Sequence, residues 1–169
     1  MRIVKQLTKN KFLNLKEVND EDMGCKNYQF AERRGVDSVA FICYNEDSDK
    51  FLLNNEVTPP IGKFLVRAFG GSIDKDIELI DIVKEEVSEE CGYKVDHSKI
   101  QYVGKAFVST QMNQYCHLYM VLISDAEKGK RKPENKSEAL SHPVWVSIED
   151  IMNGDDWKSI TILCKSKFI

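Results

Sequence analysis

The chain has 169 residues, of which 42% are hydrophobic and 30% charged, and its 27 acidic and 24 basic side chains give a formal charge of −3. This length predicts one domain over residues 1–169, and the mildly acidic balance argues against nucleic acid or an anionic membrane as a partner. No apolar stretch approaches a signal peptide or the roughly 20 residues of a membrane span. Five widely spaced cysteines, without the spacing of a zinc site, predict buried free thiols and a cytoplasmic protein.

The first third of the sequence predicts strands. Loose alternation of apolar and polar residues over 3–18 predicts a β-hairpin, and residues 1–35 are interpreted as an N-terminal β extension. Residues 38–44 form a nearly continuous apolar run, which predicts a strand buried on both faces. Residues 51–53 are expected to pair with that strand across a polar turn.

A glycine pair divides the next two predicted elements. A strand is predicted over 64–69, and Gly70 and Gly71 predict a backbone turn, because glycine adopts conformations closed to other residues. Over 77–90 the apolar positions recur at spacings of three and four, which predicts one apolar helix face, and Gly92 is expected to cap the helix.

The remaining elements complete the predicted architecture. Further strands are predicted over 100–107, 115–123 and 144–146, and short helices near 148–152 and 157–165. The short basic run over 128–132 is interpreted as a solvated loop. Strands interrupted by one central helix and closed by C-terminal helices predict an α/β fold with a mixed sheet.

Three glutamates on the central helix are the main chemical signal. Glu86, Glu89 and Glu90 are separated by three and four positions, so an α-helix would present them on one face. Their mutual repulsion, near a helix end that disfavours anions, indicates a compensating hard cation such as Mg²⁺ or Mn²⁺. The alternative is an ordinary solvated glutamate-rich surface.

The residues around these glutamates resemble the Nudix box, a motif in which glycine, glutamate, arginine and a Glu-Glu pair occur at fixed spacing. Seven residues of this sequence occupy motif positions: Gly71, Glu86, Val87, Glu89, Glu90, Gly92 and Tyr93. Two positions depart from the motif, because Ile77 stands in place of a glutamate and Glu85 in place of the arginine.

The resemblance implies a fold and a site. The fold would be a Nudix-type α/β/α sandwich with a mixed β-sheet, preceded here by the N-terminal β-hairpin extension. Glu86, Glu89 and Glu90, with the backbone carbonyl of Gly70, would bind Mg²⁺ or Mn²⁺. Glu89 and Glu90 would also be catalytic.

A wider likeness covers nearly the whole chain. Residues 32–40, residues 51–53 followed by the proline pair, and residues 89–93 resemble the Nudix subfamily that hydrolyses ADP-ribose and other nucleoside diphosphate sugars. This resemblance implies a small-molecule nucleotide substrate contacted by Arg34 and Met112. It also implies a homodimer built with the N-terminal β segment.

The expected reaction is metal-dependent hydrolysis of the diphosphate bond to nucleoside monophosphate and sugar phosphate. The subfamily uses a further loop glutamate, for which Glu138 is preferred to Glu134, and Glu85 is another possible ligand. The alternatives are hydrolysis of a dinucleotide or nucleoside triphosphate, or a degenerate module that binds a nucleotide without turnover.

One hypothesis links the unusual charges at the motif. Arg67 precedes the glycine pair, where the family commonly has an acidic residue, and Glu85 replaces the motif arginine. We therefore expect Arg67 and Glu85 to form a charge-swapped pair, with an exposed arginine as the alternative.

Overall fold

The computed structural model describes residues 1–33, 35, 37–133 and 136–166, without the side chain at position 137. Within this part of the chain the strands are β1 (Arg2–Gln6), β2 (Leu13–Asp20), β3 (Cys25–Arg33), β4 (Ser38–Asn45), β5 (Lys50–Thr58), β6 (Lys63–Arg67), β7 (Phe69–Ser72), β8 (Ile100–Ser109), β9 (Met112–Ile123) and β10 (His142–Val146). The α-helices are α1 (Leu79–Glu86), α2 (Lys136–Leu140), α3 (Ile148–Met152) and α4 (Trp157–Lys165). A π-helical turn, Val87–Cys91, continues α1.

These strands form one mixed sheet in the order β1-β2-β3-β9-β4-β5-β10, with β6, β7 and β8 paired to β5, β4 and β9. Strands β4 and β9 run parallel, from Ser38 opposite Cys116 to Asn45 opposite Ile123. Strand β3 meets β9 in parallel at Ala31. The other pairings are antiparallel.

Strand β4 is buried on both faces because helices cover the sheet from both sides. Phe41 packs in one buried cluster with Val83 of α1. Its neighbour Ile42 points the other way, as successive strand residues do, and packs in a second cluster with Leu163 of α4. The structure thus confirms both the buried strand and the predicted α/β sandwich.

Most predicted elements are confirmed, and the differences lie among the helices, including the π-helical turn over the last part of the predicted helix 77–90. The N-terminal hairpin forms, with Val4 opposite Val18, and α3 and α4 have the predicted bounds. Helix α1 begins at Leu79 rather than 77, because Glu78 has an extended backbone and Ile77 is 41% exposed, so no packing holds it in the helix. Helix α2 was not predicted, since its five residues are too short for a clear apolar period.

The cysteines are reduced, and their burial matches the prediction only in part. Cys43, Cys91 and Cys116 are buried, whereas Cys25 is half-buried and Cys164 is exposed on α4. Among the described residues, no helix is long and apolar enough to cross a membrane.

Candidate active site

The glycine pair lies in strand β7, not in the predicted turn. Gly70 and Gly71 pair with Ala40 and Val39 of β4, and neither has a positive φ. What requires glycine here is close approach: a Cβ on Gly70 would lie 2.6 Å from the carbonyl oxygen of Val39. A Cβ on Gly71 would overlap the carboxylate of Glu86, so this glycine lets α1 bring a glutamate against the backbone of β7.

The three motif glutamates lie where α1 passes into the π-helical turn. Such a turn adds a residue per turn and rotates the later side chains relative to an α-helix. Glu86 and Glu89 are half-buried, whereas Glu90 turns inward and is only 7% exposed. The predicted single face is therefore wrong in detail, although the three glutamates remain neighbours. Gly92 ends the turn at a φ of 77°, which confirms the predicted cap.

Glu90 has the most unusual environment of the three. The backbone N–H of Gly70 donates a hydrogen bond to its Oε2 at 3.4 Å. Burial, followed by the negative charge of Glu86, raises the pKa of the Glu90 carboxyl to about 8, against the opposing effect of the Gly70 hydrogen bond. A buried carboxylate next to another carboxylate costs stability, which is the condition that a bound cation would relieve.

Two adjoining cavities surround these glutamates. The first, which we call the glutamate cavity, has a volume of about 260 Å³ and is lined by Glu86, Glu89 and Lys75. The second, the mixed-charge cavity, has a volume of about 270 Å³, and its charged lining residues are Glu56, Glu90, Glu138, Arg33, Arg67 and Lys158. Gly70, Gly71, Ser72 and Glu138 line both cavities. The glycine strand therefore forms the wall that the two cavities share.

The expected pair of Arg67 and Glu85 is wrong, because each has a different partner. The guanidinium of Arg67 binds the carboxylate of Glu56 on the neighbouring strand, with N–O distances of 2.8 and 2.9 Å. Glu85 is exposed and pairs with Lys75 at 2.6 Å. The two strands β5 and β6 place Arg67 at the mixed-charge cavity, whereas Glu85 lies on the outer side of α1 and lines neither cavity.

Of the other predicted site residues, one lines the two cavities and one does not. Glu138 lies in α2 rather than in a loop, and its side chain reaches both cavities. Met112 is half-buried at the start of β9, opposite Ala31, and is not among the lining residues of either cavity. Arg34 and Glu134 lie outside the described residues.

Sequence reasoning missed three charged residues of the mixed-charge cavity: Arg33, Glu56 and Lys158. Arg33 precedes Arg34, which was predicted to contact the substrate. Glu56 follows the buried part of β5, and this switch from apolar to charged residues within one strand is a signal that could have been used. Lys158 lies on α4, far along the chain from the motif, and is half-buried. Nothing in its local sequence distinguishes it from a surface lysine.

The donor chemistry of the site fits a hard divalent cation, because Glu86, Glu89 and Glu90 offer only oxygen ligands. Within the described ranges, no three or more acidic, histidine or cysteine side chains are close enough together to coordinate one metal ion. The glutamates are nevertheless near enough for the charge of Glu86 to act on Glu90. The three glutamates are therefore close enough to attract a cation, but their side chains would have to move to coordinate it together.

Comparison with known proteins supports the fold. No protein-family model and no curated protein matches the chain. Solved structures do match, in 228 chains. One of them, a crystal structure of ADP compounds hydrolase, superposes with a TM-score of 0.71 over 96% of this chain and 89% of that chain, at 13% sequence identity. The chain therefore has the α/β fold of that hydrolase, with a mixed sheet between helices.

Proposed function

We propose that this protein is a Nudix-type, divalent-metal-dependent hydrolase that cleaves the diphosphate bond of a nucleoside diphosphate sugar, giving a nucleoside monophosphate and a sugar phosphate. The observation that carries the proposal is the pair of adjoining cavities, with glutamates beside the glycine strand and Arg33, Arg67 and Lys158 across the mixed-charge cavity. A diphosphate needs this combination, because carboxylates hold the cation that diphosphate chemistry uses while side-chain cations neutralise the phosphate oxygens.

The arginines are suited to bind the phosphates. Glu56 holds Arg67 in place through two contacts, and an arginine has five N–H donors, so others remain for a phosphate oxygen. Arg33 donates a hydrogen bond to the hydroxyl of Ser72 at 3.1 Å, beside the glycine strand. Lys158 adds a third positive charge from α4. These three residues would orient the diphosphate along the glycine strand.

Glu86, Glu89 and Glu90 would hold Mg²⁺ or Mn²⁺, with the backbone of Gly70 beside them. When bound, the metal supplies polarisation of the phosphoryl oxygens and a lower pKa of water. Because Glu90 is itself shielded from bulk water, electrostatic interactions with its carboxylate are stronger than at the surface.

In the proposed reaction, a water oxygen attacks one phosphorus, and the bond from that phosphorus to the bridging oxygen breaks. The leaving phosphate keeps the electron pair of the broken bond. One proton of the attacking water goes to a carboxylate, for which we propose Glu138, because this residue lines both cavities, and the other stays with the new phosphate until solvent removes it. The products are two phosphate monoesters.

The substrate class is proposed from the sequence resemblance, and the name of the structural neighbour, ADP compounds hydrolase, agrees with it. A second candidate is a nucleotide-binding module without turnover. It is favoured by Glu85, which stands at the motif's arginine position and pairs with Lys75, a lining residue of the glutamate cavity.

The first experiment is release of monophosphate from ADP-ribose, ADP-glucose, UDP-glucose, GDP-mannose, dinucleotides and nucleoside triphosphates, each with Mg²⁺, with Mn²⁺ and with a chelator. We expect metal-dependent cleavage of a nucleoside diphosphate sugar. Cleavage of a dinucleotide or triphosphate alone would retain the hydrolase and change the substrate. No cleavage, combined with thermal stabilisation by a nucleotide, would favour the binding module instead.

We also propose that two copies of the chain associate through the N-terminal hairpin. Strand β1 ends the sheet and all five of its residues are exposed, including Ile3 and Val4 at 52% and 47%. The unpaired backbone of an exposed edge strand is a template for pairing with a second chain, and Ile3 and Val4 supply apolar contacts there. Sedimentation analysis should show a dimer that Ile3→Lys weakens, and a concentration-independent monomer would exclude this association.

A further inference from the structure

Arg131 joins the two elements that carry the proposed catalytic glutamates. It belongs to the basic run that the sequence suggested was a solvated loop, yet its side chain is half-buried. Its Nε donates a hydrogen bond to the backbone carbonyl of Glu90 at 2.5 Å. Its other nitrogens donate to the carbonyls of Glu138 at 3.2 Å and Ser141 at 2.9 Å. One guanidinium thus binds the end of the π-helical turn and the end of α2.

The carbonyls at these two ends need donors. A helix leaves its last carbonyls without partners inside the helix, and the π-helical turn ends where α1 meets the core. The backbone N–H of Lys132 donates to the carbonyl of Glu89 at 3.0 Å, and that of Gly129 donates to the carbonyl of Gly92 at 2.6 Å. The segment 129–132 therefore runs along the turn, with Arg131 extending from it toward α2.

Only an arginine can make this set of bonds. The guanidinium is planar, remains charged and presents five N–H groups in a fixed fork, whereas a lysine offers one compact ammonium. Arg131 donates to three backbone carbonyls and, at 3.4 Å, to the hydroxyl of Ser141. These bonds hold the main chain rather than neutralise a glutamate. The hydroxyl of Ser141, which is 2% exposed, completes the junction by donating to the carbonyl of Glu138 at 2.7 Å.

We infer that Arg131 is a positioning residue that holds the α2 segment against the π-helical turn and so sets the place of Glu138 relative to Glu90. The inference rests on the proposed function for its catalytic consequence. The physical reason is that α2 has only five residues and is too short to be stable alone, so its position depends on such anchoring bonds. Arg131 bonds the backbone carbonyls of Glu90 and Glu138, so it acts on the reaction through the main chain that places the Glu138 carboxylate relative to Glu90.

The structural test is hydrogen exchange of the backbone over 136–141, measured on the metal-free protein without substrate. Arg131→Ala should speed exchange there by about tenfold, because it removes the anchoring hydrogen bonds. Arg131→Lys should have a smaller effect, and Lys130→Ala, which removes an exposed charge next to it, should have none. Unchanged exchange in Arg131→Ala would overturn the inference, whether or not the protein is a hydrolase.

The catalytic test is a double-mutant cycle with Glu138→Gln, measured on the best substrate of the nucleotide panel. Arg131→Ala should lower kcat by about 100-fold with little change in KM, as expected for a misplaced catalytic group. The double variant should lose no more than Glu138→Gln alone. Fully additive losses would show that Arg131 does not act through Glu138 and would overturn the inference.

Two further outcomes, an Arg131→Ala variant that does not fold and a wild-type protein without activity, still test the role of Arg131. If Arg131→Ala does not fold, the same cycle with Arg131→Lys tests the coupling, because lysine retains the charge and loses the fork. If the wild-type protein hydrolyses nothing, the proposed function fails while hydrogen exchange still decides whether Arg131 anchors α2.

Discussion

Helix α1 and its π-helical turn have two acidic sides, and their environments are opposite. On the outer side, half-buried Asp81 pairs with His97 at 2.8 Å, and exposed Glu85 pairs with Lys75 at 2.6 Å. On the inner side, Glu90 is buried against the glycine strand, beside Glu86, and its pKa is raised to about 8. The outer side shows how a helix normally accommodates acidic residues. The inner side brings two carboxyl groups together, one of them buried, so that ionising both costs stability, which is typical of functional sites.

The largest effect on turnover should come from neutralising a glutamate on the inner side of the helix, compared with the same change on the outer side. Glu89→Gln or Glu90→Gln should reduce turnover of the best substrate by at least about 1,000-fold, because each removes a proposed metal ligand and its charge. Glu85→Gln, the matched control outside both cavities, should change turnover by less than about threefold. Steady-state kinetics at saturating Mg²⁺ measures all three, and near-normal activity in both inner variants would contradict the proposed metal site.

The glycine pair allows a second test of the inner side. Gly71→Ala should lower activity by about 100-fold with little change in melting temperature, because the new methyl group displaces the end of a flexible glutamate. Gly70→Ala should instead lower the melting temperature, since its methyl group meets the rigid carbonyl of Val39. Thermal denaturation and kinetics distinguish the two variants. Equal losses of stability in both would mean that Glu86 does not occupy the space above Gly71.

The pH dependence of the free energy of unfolding should distinguish the inner glutamates from the outer ones, and its measurement needs no substrate. Because the pKa of Glu90 is raised from 4.5 to about 8 in the folded protein, the folded state binds more protons than the unfolded state between these values. The stability that the protonated Glu90 carboxyl contributes is fully present below its ordinary pKa of 4.5 and is lost as the pH rises through about 8. The metal-free protein should therefore lose roughly 2–4 kcal/mol of unfolding free energy over this window.

Glu90→Gln should remove most of that pH dependence, and Glu85→Gln should keep it. Urea denaturation in the presence of a chelator, at several pH values across the window, measures the difference. Identical pH slopes in the wild-type protein and Glu90→Gln would show that another group is responsible. Added Mg²⁺ should also raise the stability of the wild-type protein more than that of Glu90→Gln.

The smallest effect should be the loss of an outer ion pair. Glu85→Gln removes the pair with Lys75, in which both side chains are about half exposed, so its cost should be below about 0.5 kcal/mol. Denaturation at low and high salt measures it, and a loss above about 2 kcal/mol would place Glu85 among the buried charges instead.

Much of the fold was predictable because it depends on local patterns. Strand β4, the apolar face of α1 and both C-terminal helices follow from hydrophobic period, and the cap at Gly92 follows from the end of that period. Helix α2 has too few residues for such a period. Its position depends on Arg131, a residue whose sequence neighbours suggested only a solvated loop.

The sequence by itself determined which carboxylates are available and how far apart they lie along the chain, because spacing is a property of the chain alone. The tertiary structure decided that Glu90 is buried and that Arg67 pairs with Glu56 rather than Glu85. It also decided that Gly71 serves close approach and not a turn. These outcomes depend on the π-helical rotation, on strand register and on packing between distant segments, and none of these is encoded in a local pattern.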